Sequence, residues 1–340
     1  MTTASPFELN IREQPEALRE LARRGPEPRL AEITARPWER IVLTGMGSSH
    51  TVGIPTWRAI AATGRPVWNV DAGQLLDTPG LLTPDTLVIA TSQSGASAEI
   101  VELLARGRGG ATLIGITASD DSPLARAADL HLPLQSGPEA TVSTKSYLNS
   151  IVTHHRIAAS FGAVDPRLVE QQIASAAEHV EAQVDLDLLG VAEAALTPPR
   201  PRVGIVGWGD AAATALFAAL IIKESSKVPV EGFVGGEFRH GPYELAGPGF
   251  TGVLFGAGRD DVDRPLGRIA HDLVASGADV VLVGDLHLDG ATTIETNADG
   301  SMAALIEQSV VAERLAVAFA HGNGVVPGAF AYGSKVTATL

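Results

Sequence analysis

The sequence predicts an α/β fold built from two tandem, doubly wound parallel sheets joined by helices. Three observations lead there. Short apolar strands ending in turn residues alternate with amphipathic segments through the first half. The layout then recurs: "RPRVGIVGWGDA" (200–211) repeats "WERIVLTGMGSS" (38–49), with a charged entry, an apolar strand, Gly-x-Gly and a small polar residue. Gly207 stands 162 positions after Gly45. Between the copies, 144–195 carries apolar residues at helical spacing.

Taken in order, 1–35 reads as an N-terminal helical segment. The first subdomain, with its connecting helices, spans 36–195. Its strands lie in "ERIVLTGMGSSH" (39–50), "RPVWNVDAG" (65–73), "DTLVIATSQSG" (85–95), "GGATLIGITASDDS" (109–122) and "ADLHLPL" (128–134), and a helix covers 97–106. Pro198-Pro199 stops the connecting helices. The second subdomain spans 196–325. There "FTGVLFGAGRDD" (250–261) takes the place of the Val88 strand and "GADVVLVGDL" (277–286) that of 109–118. A tail, 326–340, is apolar, aromatic and Gly-rich, and is expected to pack rather than fray.

Composition narrows the function. Of 340 residues 45% are apolar, so each half can bury a core. A net charge of −14 with no basic stripe argues against nucleic acid, although backbone amides and a few cations could still hold an anion. The absence of cysteine excludes disulfides, thiolate metal sites and a cysteine nucleophile. No run of eighteen apolar residues and no basic-then-apolar N-terminus is present, so a cytoplasmic chain without membrane contact is expected. No His/Asp/Glu group has metal-ligand spacing, and neither metal nor cofactor is expected.

The two copies differ after their third strands. The first has Ser92-Gln93-Ser94-Gly95-Ala96-Ser97, the second Gly256-Ala257-Gly258-Arg259. At a strand-to-helix junction the first amides lack helical partners and the dipole favours negative charge. Hydroxyls added there make a neutral phosphate socket, with Gly95 letting the backbone approach. A plain helix cap is the simpler reading, but a cap needs one hydroxyl. Gly45-Met46-Gly47 could instead open a dinucleotide fingerprint with Asp71 on a ribose; His50 stands where its third glycine belongs.

Three residues elsewhere invite a chemical role. Glu224 falls in the apolar helical run "ALFAALIIKE", as a solvated helix end or a base. His240 sits between Phe238-Arg239 and Gly241-Pro242, in a turn that would hold an imidazole, with Glu237 close enough to orient it; a structural histidine is the alternative. Lys335 is the tail's only cation, and an apolar setting would favour a Schiff-base lysine.

"EQP" (13–15), "GMGSS", "SQSGAS", "VSTKSY" (142–147), "KES…GGEFRHGP" and "SKVT" occur together and in order. On these motifs the chain resembles the sugar-isomerase (SIS) domain family, specifically the isomerase half of glucosamine-6-phosphate synthase and its stand-alone deaminase and deglycase relatives. The resemblance implies two flavodoxin-like SIS subdomains and a hexose 6-phosphate ligand. By it Ser48, Ser49, Ser92, Gln93, Ser94 and Ser97 form the phosphate socket, and Thr141 and Ser143 lie near sugar hydroxyls. Glu224 moves a proton between C1 and C2, and Lys335 takes part in ring opening or an imine. His240 assists ring opening from across a homodimer interface. The implied enzyme is a glucosamine-6-phosphate deaminase, or the ammonia-dependent reverse. The alternatives are a fructosamine-6-phosphate deglycase and a non-catalytic sugar-phosphate sensor. Departures from the synthase are Ile221 for a lysine, Ala96 for a glutamate, Gly328-Ala329 for an arginine, and no cysteine-bearing glutaminase half.

Overall fold

The computed structural model describes residues 4–197, 201–261 and 263–339. It contains two five-stranded sheets, all of whose pairings are parallel. The first holds β1 (Arg40–Gly45), β2 (Val67–Asp71), β3 (Thr86–Thr91), β4 (Thr112–Thr117) and β5 (Leu130–Pro133), in the order β2-β1-β3-β4-β5. The second holds β6 (Arg202–Gly207), β7 (Val230–Val234), β8 (Phe250–Ala257), β9 (Asp279–Gly284) and β10 (Ala291–Glu295), in the order β10-β9-β8-β6-β7. Each sheet reverses direction beside its first strand, which makes both doubly wound as the sequence predicts.

Burial follows sheet position. β1, β3 and β4 in one sheet, and β6, β8 and β9 in the other, are buried almost throughout, because helices cover both faces of a central parallel strand. Ile41, Leu43, Ile89 and Ile114 enter one apolar cluster, while Val42, Val88 and Leu113 enter another. Adjacent residues of one strand therefore serve opposite faces, as a period of two requires. The edges β7 and β10 are only partly buried. Neither was legible in the sequence: "VEGFV" and "ATTIE" are short, alternate in polarity, and carry no long apolar run.

Chain contacts divide the molecule into two units. One comprises Glu16–Glu139, Lys145–Ala174 and Tyr332–Leu340 and holds β1–β5; the other comprises Met1–Pro15, Ala140–Thr144 and Ser175–Ala331 and holds β6–β10. The region predicted as connecting helices forms helices at Lys145–Ser160, Pro166–Gln183 and Leu189–Leu196. Its predicted stop, Pro198-Pro199, lies outside the described residues. In the β6–β10 unit, the alanine-rich helix Ala211–Ser226 packs along Met302–Gly322, small side chains allowing close approach.

The tail corrects an expectation. Among its described residues, only Pro327 and Gly328 are buried; residues 331–334 and 337–339 are exposed. Gly328 has φ +77°, and a Cβ there would lie 2.7 Å from the Cβ of Phe7, so packing stops at that close approach. Beyond it the tail is held at points instead of along its length.

Candidate functional site

The chain leaves β1 for β2 on one side and returns to β3 on the other, so the crevice at the ends of β1 and β3 is a topological switch point. Both strand ends carry hydroxyls. Gly45 makes the approach possible: a Cβ there would lie 2.6 Å from the carbonyl oxygen of Ser49 and 2.7 Å from that of Thr91. Gly47, at φ +55°, then turns the chain into the short helix Ser48–Thr51, which begins with Ser48 and Ser49.

After β3, Ser92, Gln93 and Ser94 lead through Gly95, at φ +64°, to the helix Ala98–Arg106. Ser97 occupies the cap position with extended backbone, yet its hydroxyl makes no cap hydrogen bond. It lies 3.5 Å from the Ser92 hydroxyl, and Ser94 Oγ accepts from the Ala96 N–H at 3.2 Å. Among the described residues, the N–H groups of Gln93, Ser94 and Ser97 find no protein acceptor. Hydroxyls and amides at a helix start form a neutral socket suited to a phosphate.

Sequence reasoning missed what supports this socket. A Cβ on Gly95 would lie 2.1 Å from Ser122 Oγ and 3.2 Å from Thr117 Oγ1. Ser122 caps the helix Pro123–Ala127 and donates to the Ser119 carbonyl, while Leu124 N–H donates to the Gly95 carbonyl. Thr91 Oγ1 lies 2.9 Å from Nε2 of His154, whose imidazole is fully buried. Burial, with the neighbouring His155 adding to it, pushes His154 down to about 3. Nothing local in "THHR" shows which side of the helix faces β3. Asp71 accepts from the Gln74 N–H through Oδ1 and caps the helix Ala72–Asp77.

Lys335 belongs to the same unit as the socket, in an ionic setting rather than the apolar one expected. Its Nζ lies 2.7 Å from Oε2 of Glu139, whose side chain is wholly buried. Ser146 donates to that carboxylate through its N–H at 3.1 Å and its Oγ at 2.8 Å. Burial pushes Glu139 up, but the Lys335 ammonium and the Ser146 hydrogen bonds outweigh it and hold the carboxyl below its ordinary value. Two residues on, the Thr337 carbonyl accepts from the Ala98 N–H at 2.9 Å, on the first turn of the socket helix.

The other predicted residues fall in the β6–β10 unit. Thr141 and Ser143 lie in segment 140–144; the Thr141 hydroxyl is buried and adjoins Gly328, where a Cβ would be 2.8 Å away. Glu224 is half-buried near the C-terminus of Ala211–Ser226. Lys227, at φ +63°, donates to the carbonyls of Glu224 and, at 2.6 Å, Ala329, tying that helix end down. His240 is exposed and follows Phe238, which is fully buried against Phe233, Tyr243 and Phe250. Its N–H donates to the Glu237 carbonyl at 2.9 Å, so the link between these residues runs through the main chain. Glu224 precedes β7 and His240 follows it, and five residues of strand separate their levels by about 16 Å.

Two doubly wound parallel α/β sheets, one of them with hydroxyls gathered at its switch point, define the class of fold. Residues 35–159 match the family described as SIS domain. It is 32% identical over 272 residues to glutamine–fructose-6-phosphate aminotransferase [isomerizing] of Aeropyrum pernix, covering 75% of this chain and 43% of that protein. The chain thus spans less than half the length of that relative. The C-terminal domain of glucosamine-fructose-6-phosphate aminotransferase from Francisella tularensis superposes with a TM-score of 0.79 at 20% identity, covering 95% of this chain and all of that one. A candidate phosphosugar isomerase of Silicibacter pomeroyi superposes with a TM-score of 0.77 at 26% identity, covering 95% and 99%. Among the described residues, no helix is long and apolar enough to cross a membrane.

Proposed function

We propose that the chain is an acid–base enzyme acting on an amino-sugar 6-phosphate, converting glucosamine 6-phosphate and water to fructose 6-phosphate and ammonia or running the reverse. The observation that carries the reading is Ser97. It stands at a helix cap without capping, its hydroxyl turned toward Ser92 at the switch point. That arrangement serves an anion better than it serves the helix. Phosphate bound there holds the far end of the sugar, so modest acid–base groups suffice at the reacting end. Glu224 would carry the proton between C1 and C2, His240 would assist at the ring oxygen, and Lys335 would take part in ring opening or an imine. The strand's length between Glu224 and His240 supports a homodimer in which each site draws its histidine from the second copy.

The test is to mix the protein with glucosamine 6-phosphate, and separately with fructose 6-phosphate and ammonium, and follow both by NMR. Ammonia and fructose 6-phosphate in the first tube, abolished in Glu224→Gln with binding kept, is the expected result. Sugar-phosphate binding without turnover in either tube would overturn the reading in favour of the sensor. Turnover confined to a fructosamine 6-phosphate would make the protein a deglycase.

A further inference from the structure

Glu139 has no role in the reading above, yet it is the carboxylate most deeply committed to a residue that does. Its side chain is wholly buried, and it lies in "GPEATVSTKS" with Lys145 as the next charged residue along the chain. A buried carboxylate is costly unless it is paired. Ser146 supplies two hydrogen bonds, one to each carboxylate oxygen, but no charge. The Lys335 ammonium, 2.7 Å away and 22% exposed, is the partner that calls for a charge. Beyond Ala331, the ion pair is the first point at which the described part of the tail is held. The second is the Thr337 carbonyl on the Ala98 N–H, next to Ser97. Two residues of chain, at most about 7 Å, connect these points.

We propose that Glu139 is a positioning residue, whose carboxylate fixes the Lys335 ammonium beside the hydroxyl socket and thereby docks the tail on the first turn of the socket helix. The inference rests on the reading of Lys335 given above for its catalytic consequence; the docking itself does not. A lysine on a mostly exposed tail would otherwise sample many positions, and orientation is what a reacting group on a loop lacks. Glu139 touches no substrate in this scheme and acts through Lys335.

Two readouts separate the parts. Exchange of the Ala98 amide proton reports docking, because its acceptor is the tail. Glu139→Gln and Lys335→Gln should each accelerate it about tenfold or more, and Glu139→Asp should return it toward wild type. Turnover of glucosamine 6-phosphate reports the consequence: Glu139→Gln should lower kcat about tenfold or more with KM changed less than about threefold, again with recovery in Glu139→Asp. Lys335→Gln, near the surface, keeps the docking test open should Glu139→Gln fail to fold. Unchanged Ala98 exchange in the folded variants would overturn the proposal. So would faster exchange with unaltered kcat. Faster exchange in the variants of a wild type that turns over no sugar phosphate would uphold the docking and remove the functional reading instead.

Discussion

Ser97 separates two physical roles that a sequence cannot separate. A serine that caps its helix contributes about 1 kcal/mol to stability. Ser97 has the cap's backbone without the cap's hydrogen bond. Ser97→Ala should therefore change unfolding free energy by less than about 0.5 kcal/mol while weakening sugar-phosphate binding about tenfold, read by urea titration and calorimetry. A loss of stability matching a cap, with affinity intact, would return Ser97 to the helix. His154 yields a prediction on pH. Its imidazole titrates near 3 when folded against an ordinary 6.5, so on acidification the unfolded chain takes up the proton first. Stability is full above about 6.5 and declines from there toward 3. His131 is also lowered, by burial, and adds to the same window; the lowered carboxyls of Glu139 and Asp129 contribute only below their ordinary values. Replacing His154 with Gln should remove about one proton from the slope of stability against pH between pH 6 and 4.5. The serines were legible because hydroxyls cluster visibly around a glycine. His154, Ser122 and Glu139 were not, because the partners that place them lie between 5 and 196 positions away in the chain.

Elements show the same division between local and distant causes. Central strands announce themselves as apolar runs, and all six of those in the two sheets fall within stretches marked by sequence alone. β7 and β10 escaped because an edge strand draws its pairing from a neighbour and needs little apolar sequence of its own. The turn after β3 is the element most exposed to disruption. Gly95→Ala would place a methyl 2.1 Å from Ser122 Oγ at a φ of +64°, a region where side chains are strained. A destabilisation on the order of 2–4 kcal/mol is expected by thermal or urea unfolding. A loss below about 1 kcal/mol would mean that Ser122 gives way easily and that the turn is softer than the geometry suggests.

At the scale of the whole molecule, the repeat read at 162 residues corresponds to two sheets of like strand order, each reversing at its first strand. What no repeat could reveal is that the tail returns to the β1–β5 unit. The proposed sharing of Glu224 and His240 between copies has a direct test in complementation. Glu224→Gln and His240→Ala should each be inactive alone. After dissociation and remixing, half of the dimers would be mixed, each with one intact site, restoring about a quarter of the activity. Continued inactivity, with mixed dimers verified by mass, would put both residues in one chain's site.

The second switch point has a different character, and it reaches into heredity. At the ends of β6 and β8 the chain has glycine and alanine where the first copy has serines: Cβ atoms on Gly207 and Gly256 would lie 2.2 Å from the Ala211 carbonyl and 2.7 Å from the Ala211 methyl. One junction is constrained by what its side chains offer, the other by how little room it leaves. A saturation library selected for folding alone would tolerate alanine at the serines and reject bulk at the glycines. Selected for sugar-phosphate metabolism, it would reject both. The two junctions would thus drift under separate rules, one policed by chemistry and the other by volume.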